Sequence, residues 1–238
     1  MSDTEPGVER LLAEQIRYYD DRASEYEDLW YARGRHDRGP DRNDEWFQET
    51  ARAEAEVDAL EVHGSVLELA YGSGLWTRRL APRADRYVAV DAAPSMLALN
   101  AERAGDPTIE FVRADVFEWE PSATERFDLV FFGFFLTHVP PDRLAPLWGR
   151  IRPWLNDRGR VSFVDDRAGP DRPRSGVAVP DGPSFAHRRR LGDGREYTIV
   201  KLFYEPADLA GRIGSFGWDA EVHAVGAHFL FGTARPCV

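Results

Sequence analysis

Apolar positions along the chain follow two different periods, and the change between them divides it. Over residues 8–30 apolar side chains return at helical spacing (Leu11, Leu12, Ile16, Tyr19, Ala23, Tyr26), which predicts a helix with one face against a core. Residues 34–43 are charged and broken by glycine, so they read as a loop, and residues 45–60 read as a second helix with Asp44 as N-cap. From residue 64 short apolar runs take over, at 65–70, 86–90, 108–116, 127–133 and 160–165, with helical stretches between them. Strands that alternate with helices predict a parallel sheet, and the nearly continuous apolar run 127–133 suits a strand covered on both faces. Pro141 and Asp142 suit a helix N-terminus, and that helix is expected to end near residues 155–159.

The C-terminal third changes character again. Residues 167–183 hold four prolines and three glycines and read as a long loop. Residues 185–191 and 196–203 flank Gly192-Asp193-Gly194 and predict a β-hairpin. A helix from Pro206 to about Gly217 and two strands near 220–225 and 228–232 complete the chain.

Candidate chemistry concentrates between residues 64 and 91. The first strand breaks at Tyr71-Gly72-Ser73-Gly74, a helix opens over 75–80, and the second strand ends on Asp91. Glycines let a backbone approach a ligand closely, and an acid about 20 residues after such a turn suits the two hydroxyls of a ribose. A dinucleotide fingerprint needs a third glycine, but Thr77 stands there, and Glu68 inside the strand is awkward beside a diphosphate. The unit therefore reads as a site for a nucleoside-containing cofactor without phosphates.

The run Glu68-Leu-Ala70-Tyr-Gly72-Ser-Gly74 resembles the first motif of class I S-adenosylmethionine-dependent methyltransferases. Ala70 replaces the first glycine and is expected to keep a negative φ. Three further segments resemble the family in order and spacing: the third strand ending at Asp115-Val116, the fourth strand running into Phe134-Phe135, and Thr137-His138-Val139 after it. The N-terminal segment from Tyr18 to Tyr26 is similar to the one that covers the cofactor in small-molecule members. The resemblance implies an α/β fold: a doubly wound, mostly parallel seven-stranded sheet with an antiparallel C-terminal hairpin and an N-terminal helical lid. The whole chain would be one domain, with the lid at 6–62, the cofactor core at 64–165 and a substrate side at 166–238. It further implies S-adenosylmethionine contacts at Tyr19, Glu68, Ala70, Gly72, Gly74, Asp91, Met96, Asp115, Val116, Phe132 and Gly133. Tyr26, Trp30 and Phe135 are the implied acceptor residues, with Trp46 and Phe134 as further apolar candidates.

Composition narrows the partner. Asp and Glu number 41 against 30 Lys and Arg, a net charge of −11, which disfavours a nucleic-acid substrate. Arg188-Arg189-Arg190 is the one basic run, read as a strand with a single inward residue, and Lys201 is the single lysine. Cys237 is the one cysteine and no histidine pair has metal spacing, so metal chemistry is not expected. No apolar run reaches the ~20 residues of a membrane span and no secretory leader is visible, so a cytoplasmic monomer or homodimer is expected.

The expected reaction is methyl transfer to an O, N or S atom of a small molecule, plausibly a secondary metabolite. His138 is the candidate general base, and His36, Asp166, His187 and Tyr197 are weaker candidates. Methylation of a protein or tRNA, or a non-catalytic cofactor-binding role, are the alternatives; an oxidoreductase would need NAD at the same turn.

Overall fold

The computed structural model describes residues 5–167, 177–178 and 184–237. In chain order the elements are α1 (Glu5–Arg22), α2 (Pro40–Asp58), β1 (Ser65–Leu69), α3 (Thr77–Leu80), β2 (Arg86–Asp91), α4 (Pro94–Ala104), β3 (Glu110–Arg113), β4 (Phe127–Gly133) and α5 (Pro141–Ile151). Then follow β5 (Leu155–Asp166), β6 (Val177–Ala178), β7 (Ala186–Arg190), β8 (Glu196–Val200), α6 (Pro206–Ser215), β9 (Trp218–Val225) and β10 (Phe229–Pro236). Seven strands form one sheet in the order β3-β2-β1-β4-β5-β10-β9, and β6-β7-β8 form a small antiparallel sheet. The pairs β3–β2, β2–β1, β1–β4 and β4–β5 are parallel, whereas β10 runs antiparallel to β5 and β9. This is the expected doubly wound sheet with its antiparallel ending. Strand order reverses between β1 and β4, and the crevice at the carboxyl ends of those strands is where such sheets bind ligands.

Each face of the sheet has its own core. On one, Phe132 and Phe163 stack with centroids 5.7 Å apart beneath the fully buried Trp148 of α5. On the other, Phe131 packs with Ala53 and Val57 of α2, Leu80 of α3 and Met96 of α4. A third, smaller cluster joins Val8, Leu11 and Leu12 of α1 to Ala186 and Val200 of β7 and β8. The N-terminal helix thus packs on the small sheet and with it forms a cover over the crevice.

Several element boundaries differ from the sequence expectation. α1 stops at Arg22 and tightens into a 3-10 turn over Ala23–Asp28, which turns Glu27 inward to Ser73, Arg78 and Arg103. α2 begins at Pro40, because Gly39 (φ +85°) reverses the chain and proline suits a first helical position; Asp44 lies inside the helix and caps nothing. β3 is short because Asp115 leaves it in a side-chain turn, Oδ1 accepting the Phe117 N–H at 2.9 Å. β5 begins at Leu155, since residues 156–159 bulge between the pairs Phe127–Leu155 and Leu129–Arg160 instead of ending a helix. Within the expected loop 167–183, β6 pairs with β7; most of the rest of that expectation lies outside the described residues.

Candidate active site

The turn after β1 is built on left-handed backbone. Ala70 has φ +52°, contrary to the negative value expected, and Gly72 and Gly74 have +55° and +82°. Ala70 still donates its N–H to Val90 O at 2.8 Å, so the strand pairing extends one residue and then turns sharply. A non-glycine residue held there costs about 1–2 kcal/mol, so the surrounding packing over-determines it. Phe134, after β4, has φ +57°. Both strained residues line the same cavity.

That cavity holds about 710 Å³, its mouth included, between α1 and the carboxyl ends of β1, β2 and β4. Of the expected cofactor residues it brings together Tyr19, Ala70, Gly72, Asp91, Met96, Asp115, Val116 and Gly133. Asp91 Oδ2 accepts the Gly72 N–H at 2.9 Å and Oδ1 the Ala93 N–H at 2.8 Å. Burial pushes its carboxyl up to about 6 against the opposing pull of those two bonds. Leu12, Val116, Phe117 and Phe135 give the cavity an apolar wall, and the Asp115 carboxylate lines it beside them. A buried carboxylate, a side-chain-free Gly72 and an apolar slot fit S-adenosylmethionine.

Three expected contacts lie elsewhere. Glu68 is buried beneath the turn, its Oε2 accepting the hydroxyls of Thr77 at 2.5 Å and Tyr87 at 2.7 Å, and burial raises its carboxyl to about 7. Gly74 serves packing: a Cβ there would stand 2.0 Å from Asn100 Oδ1. Phe132 is fully buried in the core against Phe163.

A second cavity of about 1610 Å³, open to solvent, meets the first at Tyr19, Tyr26, Phe134 and His138, which line both. Tyr26, Trp30, Trp46, His36 and Asp166 line it as well, whereas Phe135 faces the first cavity and packs on Phe117 and Phe132. Tyr197 instead donates to Asp21 at the surface, and His187 pairs across β6 and lines neither cavity.

The second cavity also contains residues that sequence reasoning passed over. Arg22, Arg189 and Lys201 line it. The guanidinium of Arg22 lies 5.6 Å from the Tyr18 ring centroid and 5.2 Å from that of Tyr26. Strand alternation turns Arg189 inward while Arg188 and Arg190 stay exposed. Lys201 is 4% exposed, and Nζ donates to Asp166 Oδ2 at 2.6 Å and Thr137 Oγ1 at 2.8 Å. Thr137 in turn donates through its hydroxyl and N–H to Asp165, whose carboxyl burial raises to about 6 against the Lys201 charge. The signals were the one lysine in an otherwise lysine-free chain and the alternation within the arginine run.

His138 sits at the junction. Nδ1 lies 2.7 Å from Val200 O, the Tyr19 hydroxyl lies 2.8 Å from Nε2 and 3.3 Å from Nδ1, and Lys201 Nζ stands 3.4 Å from Nε2. Burial, then the Lys201 and Arg189 charges, hold its pKa well below the ordinary histidine value. Gln15 of α1 braces the same loop, donating to His138 O at 3.1 Å and accepting the Val200 N–H at 3.0 Å.

The fold, the glycine turn and the acid that ends β2 define a class I S-adenosylmethionine-dependent methyltransferase, and the chain belongs to that family. A methyltransferase-domain family model matches residues 66–159. The structure of DhpI with S-adenosylhomocysteine superimposes with a TM-score of 0.77 at 35% identity, covering 95% of this chain and 97% of that one. The DhpI–SAM–HEP complex gives 0.77 at 37% identity, covering 95% and 98%. Burkholderia thailandensis 1,6-didemethyltoxoflavin-N1-methyltransferase shares the fold at 22% identity and a TM-score of 0.61, covering 97% and 90%. Phosphoethanolamine N-methyltransferase 1 of Triticum aestivum is 34% identical over 100 residues, which are 41% of this chain and 20% of the wheat protein. S-Adenosylmethionine is therefore the cofactor. Among the described residues no cluster of His, Cys, Asp or Glu could hold a metal ion, and no helix is long and apolar enough to cross a membrane.

Proposed function

We propose that the protein transfers the S-adenosylmethionine methyl group to an oxygen of a small anionic acceptor, a carboxylate, phosphate or phosphonate. The observation that carries this reading is the meeting of Arg22, Arg189 and Lys201 in the cavity that adjoins the cofactor cavity at Tyr19, Tyr26, Phe134 and His138. Six basic side chains, Arg22, Arg35, Arg188, Arg189, Arg190 and Lys201, line this cavity against three carboxylates, Glu27, Asp166 and Glu196, and in a chain with net charge −11 that excess marks a local demand for negative charge. An arginine fork and a lysine point charge are the usual recognition pair for oxyanions. The DhpI–SAM–HEP complex, in which a relative holds SAM together with a second component, supports an arrangement of two adjoining sites.

Asp91, Gly72 and the purine slot hold the cofactor, whose sulfonium supplies an electrophilic methyl. Tyr19, Tyr26 and Phe134 would wall the transfer point, excluding water and facing the sulfonium with aromatic rings. The clamp aligns the acceptor oxygen, and alignment is the main work of such a displacement. The chain's acidity supports a small molecule over a tRNA, in keeping with a cytoplasmic enzyme.

The test is a panel of methylphosphonate, phenyl phosphate and benzoate against ethanolamine and catechol, with methyl transfer followed by S-adenosylhomocysteine release. Turnover is expected with an anion, and Arg189→Met and Lys201→Met should each raise its KM at least tenfold while leaving S-adenosylhomocysteine affinity within threefold. Turnover of the amine or phenol with none of the anions would overturn the reading.

A further inference from the structure

The candidate base of this site does not have the geometry of a base. His138 Nδ1 lies 2.7 Å from a carbonyl oxygen, that of Val200, and two acceptors cannot share that contact, so Nδ1 carries the proton. In the neutral ring Nε2 then holds the one lone pair. The Lys201 ammonium faces it at 3.4 Å, while the Tyr19 hydroxyl lies over the ring, 2.8 Å from Nε2 and 3.3 Å from Nδ1.

The surroundings oppose a second proton on the ring. Tyr19 faces it from α1, Arg189 from β7 and Lys201 from the segment after β8, while Asp166 at the end of β5 is the one anion among them and is bonded to Lys201. An imidazolium here would add a positive charge beside two others in a buried setting.

We propose that His138 is a positioning residue: its ring carries Tyr19 against it and turns Nε2 toward Lys201, tying the helix over the cofactor cavity to the cation of the acceptor cavity. This rests on the oxyanion reading above. An acceptor that arrives ionised needs no base: its oxygen lone pair forms the new O–CH3 bond, the C–S bond breaks, and its electron pair stays on sulfur. The acceptor loses one negative charge, the sulfonium loses its positive charge, and no proton moves. The cations and His138 then serve orientation, and His138 also makes the acceptor site dependent on the closed position of α1.

The first test needs no acceptor. Nitrogen-15 spectra of histidine-labelled protein with S-adenosylhomocysteine bound, assigned by loss of a signal in His138→Gln, report the tautomer directly. We expect a ring protonated at Nδ1, bare at Nε2 and unchanged between pH 5.5 and 8.5. Titration of that ring in the ordinary histidine range, or a proton at Nε2, would overturn the proposal even if anions are turned over. The second test is kinetic, with the best anion of the panel. His138→Phe should raise acceptor KM tenfold or more with kcat within about threefold, and His138→Gln, which restores an acceptor atom, should recover part of that loss. A base would show the reverse, a fall in kcat of ~10²–10⁴ with KM unmoved. If neither variant folds, the wild-type spectra decide alone. Absence of turnover with every anion sinks the oxyanion reading, and this proposal falls with it only if the spectra also show a titrating ring.

Discussion

The backbone N–H of Gly72 donates to Asp91 Oδ2 at 2.9 Å, so the acid that ends β2 is bonded to the turn that ends β1. One carboxylate therefore shapes the glycine turn and presents itself to the cavity. This double duty explains how the two motifs are held together although they stand 19 positions apart.

The same burial makes cofactor affinity depend on pH. The Asp91 carboxyl is raised to about 6 from an ordinary 3.8. The folded protein therefore binds this proton more tightly than the unfolded chain, and stability contributed here falls as pH rises from about 4 to 6. On the proposal that Asp91 holds the cofactor ribose, the hydroxyls would donate to the ionised form, so binding has the opposite slope. S-Adenosylhomocysteine affinity measured by calorimetry should be level above pH 7 and about tenfold weaker at pH 5. Asp91→Ala should weaken binding by about 2 kcal/mol and abolish the slope, the loss of charge-assisted hydrogen bonds.

Glu68 predicts a stability effect without a binding effect. Its carboxyl is raised to about 7, chiefly by burial, with the Thr77 and Tyr87 hydroxyls pulling the other way. A raised folded-state pKa means that stability is lost as pH climbs from about 4.5 to 7 and is constant beyond. Glu68→Gln keeps an acceptor for both hydroxyls and carries no charge. Its free energy of unfolding should therefore exceed that of wild type at pH 8 by on the order of 2 kcal/mol, seen as a raised thermal midpoint, and match it near pH 5. S-Adenosylhomocysteine affinity should stay within threefold, because Glu68 does not line the cavity.

Much of this was legible in the sequence because it is local. The strands β1, β2 and β4, the turn and Asp91 are short-range patterns and stand where those patterns put them, whereas Asp115 lines the cavity from a side-chain turn past a β3 shorter than expected. The lid helix and the hairpin over 185–203 were legible from periodicity and turn chemistry. What escaped depends on long-range assembly. Lys201 becomes a site residue only because β8 brings it beside Thr137 and Asp166, 64 and 35 residues away. Glu68 and Phe132 belong to motif and strand but point away from the cavity, which strand register decides and a motif does not. The positive φ of Ala70 was missed because the turn's geometry, not alanine's preference, sets it.

Gly74 tests whether the second motif glycine serves ligand or packing. It has φ +82°, and a Cβ would stand 2.0 Å from Asn100 Oδ1 and 2.4 Å from Cγ. Asn100 is fully buried and donates to Thr77 Oγ1 at 2.9 Å, so it has little room to yield. Gly74→Ala should lower stability by about 3 kcal/mol, from left-handed strain plus overpacking. Denaturant melts should show it without added cofactor. An unchanged midpoint would assign the glycine to the cofactor instead.

Gln15 is the joint between lid and site, and its loss should loosen the lid alone. The side chain is 8% exposed and bridges two backbones, donating to His138 O at 3.1 Å and accepting the Val200 N–H at 3.0 Å. Gln15→Ala leaves both groups without that partner in a buried place, a cost of about 2 kcal/mol. The apolar cluster beneath α1 is small, with Val8, Leu11, Leu12, Ala186 and Val200 at its centre, and is separate from the two cores of the main sheet. The cost should therefore appear as local opening rather than global unfolding. Hydrogen exchange should speed by about tenfold or more in α1 and β8 and stay unchanged in β1, β4 and β5. Because α1 roofs one cavity and walls the other through Tyr18, Tyr19 and Arg22, S-adenosylhomocysteine affinity and acceptor KM should worsen together. Uniform acceleration across the main sheet would mean that α1 is part of the global folding unit and not a separate lid.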